Sequence, residues 1–412
     1  MKKVNVISFS LSRGGAAIAA KKFIDLLSGV RYVNIVSQDG ADKLQFIKRI
    51  LSWGLGLLQI SRNKTKHSLN LFSYHPVISA FKNKKKDEIF HLHWFNNDTI
   101  SIFDLDKIPL NSIITLHDEW LYCGSEHYYD PNHDKKLDFI SGYHFFSSGS
   151  FGFGWQYVIW RIKVAKLKNR SDIIYTVPSS WMLKRAKSSL ILKNSTVLLL
   201  PNPIDVNVFY PRVFRKELRS TLSFYKNEFV ICFGAIGGKK NPLKGGHILD
   251  RALKIVAEKI RLEGKEIRLV IFGQSGEDKV LHGFRTSYAG HIKEQSALAD
   301  LFCASDCVVV PSIVESFGQV AAESMACGTP VVAFRTSGLT DIVIDGVNGF
   351  LAEPFEPVSL ADKVIQIASL SNEEKYNYSV RARKHIEDSF SYEVISKKYF
   401  DIISLSENNE SR

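Results

Sequence analysis

Short apolar runs recur along the chain, each closed by glycine or polar residues before a longer mixed stretch begins. Residues 4–9 have the length and composition of a buried strand, and residues 31–37, 112–116, 172–178 and 196–200 read as further strands. Residues 88–94 alternate like a strand and end in an aromatic. A second series follows at residues 229–235, 268–272, 307–310 and 330–334. Helical stretches fall between or after these runs, at residues 16–27, 247–260, 296–303, 319–327, 357–370, 372–388 and 391–405. Strands that alternate with helices predict an α/β fold built from doubly wound, Rossmann-like units. The run Pro-Asn-Pro-Ile-Asp at 201–205 breaks the pattern and reads as a linker. The predicted division is residues 1–205 and 206–390, with a helix at about 391–405 closing the chain.

Composition agrees with this. At roughly 100–200 residues per domain, 412 residues suit two domains, and 45% hydrophobic residues support full cores. No apolar run reaches the roughly 18 residues that a membrane-crossing helix needs. The apolar part of the N-terminus is too short for a signal peptide, so a cytoplasmic location is expected. The five cysteines, at 123, 232, 303, 307 and 327, lie mostly in apolar strand or helix patterns and read as reduced core thiols.

Charge changes the picture more. A formal net charge of +12 calls for an anionic partner, and nucleic acid, anionic lipid or anionic substrate would each serve. Two segments interleave aromatic and basic residues: 46–60, with Arg62, Lys64 and Lys66 behind it, and 151–170. The first either lies flat on an anionic membrane or is an ordinary core-facing helix with a solvated basic end. Two such segments in one half favour the membrane surface. No RNP, KH or helix-turn-helix pattern accompanies them, which argues against nucleic acid.

The candidate chemistry gathers where strands end, the place where open α/β sheets bind ligands. Gly14-Gly15 after the first strand would let a phosphate approach a helix N-terminus, or simply makes a tight turn; it is neither G-x-G-x-x-G nor a P-loop. His91 and His93 share one strand face and, without an evident third ligand, read as structural rather than metal-binding. His117 and Asp118, at a strand end and followed by Glu119 and Trp120, are better site candidates. The loop at 121–150 is long enough to hold an acceptor or act as a lid. The loop at 236–246 sets Lys239, Lys240 and Lys244 beside glycine amides, which suits a diphosphate. Gly273 ends another strand. After the run 307–310, Glu315 lies in a loop, Ser316 and Phe317 lead to a turn at Gly318, and Glu323 lies on the helix that follows. This makes an anion site flanked by two hydroxyl-binding acids, as a nucleotide sugar requires.

The segment from Glu315 to Glu323, continued by Ala326-Cys-Gly-Thr-Pro-Val-Val-Ala, resembles the E-x7-E region of the retaining glycosyltransferases of family 4. The order Gly14-Gly15, His117-Asp118, Pro201-Asn202, Lys244-Gly245 and E-x7-E carries the resemblance over nearly the whole length. His91-Leu-His-Trp94 and His117-Asp-Glu-Trp120 further resemble bacterial transferases of exopolysaccharide and O-antigen assembly. The resemblance implies a GT-B fold, with two Rossmann-like domains facing each other across a cleft and a C-terminal helix returning to the first. It implies a nucleotide-diphosphate sugar, UDP- or GDP-linked, as co-substrate with no further cofactor. No metal is needed if the lysines and helix-terminal amides stabilise the leaving diphosphate, and no Asp-x-Asp follows a strand to bind one. The acceptor would be a glycan or an undecaprenyl-diphosphate-linked glycan bound by the N-terminal domain, with Asp118, Glu119 and Trp120 as acceptor candidates. Glu323 would hold ribose hydroxyls, Glu315 the donor sugar, Lys244 the diphosphate, and His117 the sugar near its anomeric centre. Gly14, Gly15, Gly273 and the Ser316–Gly318 amides would line the donor site. The family's usual arginine before the Lys-Gly pair is Lys239 here, and lysine lacks the bidentate fork; Lys239 or Lys240 would substitute.

Same-face attack, assisted by the leaving phosphate, fits residues that bind sugar hydroxyls better than double displacement, which needs a carboxylate nucleophile. Competing readings are a same-fold nucleotide-sugar epimerase or hydrolase, a non-catalytic assembly partner, and a nucleic-acid binder. A place on the inner face of the cytoplasmic membrane follows from the aromatic–basic segments.

Overall fold

Parallel strands stand where the apolar runs predict them. The computed structural model describes residues 2–60, 65–129, 137–145, 151–225, 227–234, 241–261 and 266–409. The chain divides into two units, Met1–Pro203 with Ser396–Arg412, and Ile204–Ile395.

In the first unit the strands are Lys3–Ser8 (β1), Val33–Val36 (β2), Glu88–His93 (β4), Ile113–Thr115 (β5), Ile174–Val177 (β7) and Thr196–Leu199 (β8). They form one parallel sheet in the order β2-β1-β4-β5-β7-β8. Gln59–Ile60 (β3) and Phe151–Gly152 (β6) make a separate antiparallel pair. The helix Gly15–Leu27 packs close to the sheet because its inner positions include Ala17, Ala19 and Ala20. The closing helix, Tyr392–Asn409, belongs to this unit from Ser396 onward. Tyr399 Oη lies 2.6 Å from His91 Nδ1, and Arg31 pairs with Glu407 at 2.6 Å.

The second unit has Glu228–Gly234 (β9), Glu266–Phe272 (β10), Lys279–Leu281 (β11), Phe284–Gly290 (β12), Cys307–Val310 (β13), Val331–Phe334 (β14) and Phe350–Ala352 (β15). The sheet order is β11-β12-β10-β9-β13-β14-β15, with β11 antiparallel at the edge. Along β9, Val230 and Cys232 enter one apolar cluster, while Phe229, Ile231 and Phe233 enter another on the opposite face. Burial on both faces explains why the run is continuously apolar rather than alternating. The chain enters and leaves this unit side by side, with Ile204 N donating to Phe390 O at 2.8 Å. All five cysteines are buried free thiols.

In each sheet the strand order reverses beside one strand. In the first unit this is β1, between β2 and β4; in the second it is β9, between β10 and β13. The crevice at such a reversal is where doubly wound sheets bind ligands. Gly14-Gly15 follows β1, and Lys244 follows β9.

Candidate active site

The second unit holds the more complete half of the chemistry. β13 ends at Val310, and the loop Pro311–Gly318 leads into the helix Gln319–Ala326. Gly318 caps that helix at φ 111°, a region in which L side chains are strained, and a Cβ there would come within 2.9 Å of Leu339. Phe317 points away from the loop and packs edge-on against Phe390, so only its backbone is offered to a ligand. Glu315 is anchored from both sides of its peptide: its amide donates to Ser337 Oγ at 2.9 Å, and its carbonyl accepts from Gly338 N at 2.9 Å.

Lys244 and Glu315 meet directly. Lys244 Nζ lies 2.5 Å from Glu315 Oε1, which also accepts from Ser312 Oγ at 2.8 Å. Their separation of 71 positions in sequence hid this pair. Its cause is the turn around Lys244. Asn241 caps the short 3₁₀ turn Pro242–Lys244, Gly245 takes φ 67°, and Ile313 N donates to Leu243 O at 2.8 Å. Lys244, Glu315, Ser312 and Gly234 then line one small pocket. Glu323, on the helix, accepts from Gln319 Nε2 at 2.6 Å and is almost buried. Gly273 ends β10 at φ 77°, its amide donating to Gly290 O. Lys239 and Lys240 lie outside the described residues.

A Cβ added at Gly245 would stand 1.7 Å from Pro311 O, a backbone atom that cannot step aside. Gly245→Ala is therefore expected to destabilise the second unit by about 3 kcal/mol and to separate Lys244 from Glu315. Urea unfolding followed by circular dichroism checks the first part, and loss of nucleotide binding the second.

In the first unit, Gly14 caps the helix Gly15–Leu27 at φ 89°. No atom lies within 4 Å of a Cβ at either Gly14 or Gly15, so the backbone is open to a ligand. The turn before it is tied to Asp39, which sequence reasoning missed. Asp39 accepts from Ser10 Oγ at 2.6 Å, Leu11 N at 2.8 Å and Ser12 Oγ at 3.1 Å. Desolvation works against its charge, but these hydrogen bonds prevail and hold the carboxyl below its usual range.

The histidines at the ends of β4 and β5 form a linked group. His91 bonds Tyr399 and Thr115, and His93 Nδ1 lies 2.9 Å from His117 Nε2. Burial lowers all three: His91 to about 3, His117 to about 4, and His93 well below its ordinary value. They are neutral at pH 7. No group of three metal-ligating side chains occurs among the described residues.

Two of the three acceptor candidates are placed otherwise than the sequence suggests. Glu119 is fully buried, paired with Arg185 at 2.5 Å and bonded by Tyr122 Oη and Tyr129 N. Trp120 is buried too, donating to Ser68 O, with the Lys163 ammonium 4.0 Å from its ring centroid. Neither presents a polar group to an acceptor; they hold the following loop, whose carbonyls at Trp120 and Gly124 accept from Lys163. Asp118 has little exposure and accepts from Trp94 Nε1, His127 Nδ1 and Trp120 N, so it orients the neighbours of His117.

Residues 214–385 match the family described as Glycosyl transferases group 1, so the second unit carries a domain of that kind. A D-inositol 3-phosphate glycosyltransferase of Xylanimonas cellulosilytica is 36% identical over 179 residues, 40% of this chain and 41% of that protein. An uncharacterized glycosyltransferase of Methanocaldococcus jannaschii is 35% identical over 172 residues, 40% of this chain and 46% of its own. The chain thus spans less than half the length of these curated relatives. Whole-chain likeness comes from solved structures. Sucrose-phosphate synthase of Thermosynechococcus elongatus superposes with a TM-score of 0.68 at 17% identity, covering 98% of this chain and 99% of that one. Anabaena HepE, solved with UDP-glucose, gives 0.62 at 19% identity, covering 98% and 100%. Together with the two parallel-sheet units, these likenesses establish the GT-B fold.

Proposed function

We propose that the chain is a retaining, metal-independent glycosyltransferase. It moves a sugar from a UDP- or GDP-linked donor to a hydroxyl of a glycan or undecaprenyl-diphosphate-linked glycan. The setting is bacterial surface polysaccharide synthesis at the inner face of the cytoplasmic membrane. The observation that carries this reading is the Lys244–Glu315 pair at the end of β13, with Glu323 on the helix that starts beside it.

Transfer of a glycosyl group separates charge: positive on the sugar ring, negative on the leaving diphosphate. Lys244 supplies a cation for the diphosphate, and the amides of Ser316 to Gly318, at a helix N-terminus, supply dipoles. Glu315 and Ser312 offer hydrogen-bonding oxygens to sugar hydroxyls. Glu323 takes the ribose hydroxyls. Neutral His117 contributes a hydrogen bond to the donor sugar rather than a charge. With no carboxylate assigned as nucleophile, attack comes from the face the diphosphate leaves, and the departing phosphate takes the acceptor proton.

The test is a transfer and hydrolysis assay across UDP- and GDP-sugars in EDTA, with the anomeric configuration of the product read by NMR. Inositol phosphate belongs among the acceptors, since several curated relatives are named for it. Retention of configuration and turnover in EDTA are expected. Glu323→Ala is expected to weaken nucleotide binding about tenfold or more, the loss of a charged hydrogen-bond acceptor. If no donor is bound or turned over, the transferase reading is wrong.

A further inference from the structure

The helix Lys43–Gly56 is inside out. The two side chains it buries are polar: Gln45 Nε2 donates to Asp98 O at 2.6 Å, and Ser52 Oγ donates to Asp98 Oδ1 at 2.7 Å. Its outward face carries Leu44, Phe46, Ile47, Leu51 and Trp53, all exposed, Trp53 to 68%. Contiguous apolar surface of this kind marks a binding face. Lys43, Lys48 and Arg49 are interspersed along it, the arrangement that suits an anionic lipid surface.

Against this helix lies a pocket of about 600 Å³. Phe46, Ile50, Trp53 and Trp155 are its apolar lining, and Arg49, Lys66 and Asn97 bring polar and cationic groups to it. Asp98 is also in the lining, but Ser52 Oγ and Phe72 N occupy its Oδ1. Lys66 keeps much of its side chain exposed, while its ammonium lies 4.4 Å from the Trp94 ring centroid and 3.3 Å from Asn97 Oδ1. Trp94 donates in turn to Asp118, the residue after His117. Lys66 therefore links the pocket to the strand ends that carry His117, and the exposed helix supplies much of its apolar lining. The volume lies within the usual range for small-molecule sites.

We propose that this pocket seats the phosphorylated head of a membrane amphiphile whose apolar chain lies along the helix Lys43–Gly56. Arg49 and Lys66 hold the phosphate, and Trp53 and Trp155 flank the first part of the chain. Its role as an acceptor seat rests on the transferase reading above; the binding itself does not.

The probe is farnesyl diphosphate, with farnesol and inorganic diphosphate as its two halves, titrated calorimetrically into the full chain. Farnesyl diphosphate is expected to bind about tenfold or more tightly than either half, because the cationic and the apolar lining are then both used. Arg49→Gln with Lys66→Gln is expected to lower that affinity about tenfold, with UDP affinity and the urea midpoint unchanged. Lys66→Gln alone, on an exposed side chain, serves if the double variant folds poorly. Saturating UDP should not displace the probe. Displacement by UDP, equal binding of farnesol, or undiminished affinity in the variants would overturn the assignment. Probe binding in a chain that binds no nucleotide would sink the transferase reading and leave the pocket standing.

Discussion

Lys244→Ala is expected to lower the transfer rate by about two to three orders of magnitude while leaving the fold intact. The ammonium is the described cation nearest Glu315, and three donors allow it to hold Glu315 and still offer hydrogen bonds to a diphosphate. In the proposed reaction that contact would gain most as the glycosidic bond breaks and charge accumulates on the leaving oxygen. The loss therefore falls on kcat, with a smaller change in KM. Stability should barely move: Lys244 is 31% exposed and Glu315 18%, and ion pairs with such access to water contribute about 1 kcal/mol or less. Steady-state kinetics with a urea titration in parallel separates the two. Lys244→Arg should recover part of the rate, because the charge returns but a guanidinium is longer and planar. A loss below about tenfold, or one matched by unfolding, would remove Lys244 from the chemistry.

Much of the fold was legible because parallel strands buried on both faces write themselves as apolar runs. β1, β9 and β13 were plain for that reason. β11 was not: it is a three-residue edge strand with Val280 70% exposed, and the sheet it joins, more than its own composition, makes it a strand. β3 and β6 are two residues each and exist only through their pairing. The site divides in the same way. Glu315, Gly318 and Glu323 sit within nine residues, and their turn and helix spacing could be read locally. The Lys244–Glu315 pair depends on how Gly245 meets Pro311, which no local pattern reports. Asp39 carried no motif; the serines at 10, 12 and 37 that surround it were the available signal.

Burial decided the remaining differences. Glu119 and Trp120 have the composition of an acceptor site, yet Arg185 and Ser68 take up their polar atoms in the interior. For residues 46–60 the sequence allowed a core-facing or an outward apolar helix. Gln45 and Ser52, bonded to Asp98, settle which face turns in. A hydrophobicity pattern alone gives the stripe but not its direction.

Lowering the pH from 7 to 5 is expected to cost the first unit several kcal/mol of stability, with His91 and His93 as the main contributors. Burial depresses both, His91 to about 3 and His93 well below its ordinary value, so both remain neutral in the folded protein across this window. In the unfolded chain they titrate near 6.5. Below that value the unfolded state binds more protons than the folded one, so stability falls with pH until the folded values are reached. Each fully buried histidine then contributes about 2 kcal/mol of loss at pH 5. His117, lowered to about 4, also stays mostly neutral at pH 5 and adds a loss in the same direction. Asp118 adds nothing here, since its carboxyl lies below its usual value and stays ionised to more acidic pH. All six tryptophans, at 53, 94, 120, 155, 160 and 181, lie in the first unit. Urea unfolding followed by tryptophan fluorescence therefore reports this unit alone. His91→Gln keeps a side chain that can reach Tyr399 or Thr115 but cannot titrate, and it should flatten the dependence by about 1.4 kcal/mol per pH unit below pH 6.5. Stability that is level from pH 7 to 5, or a slope the variant leaves untouched, would mean that the cluster takes up protons without opening.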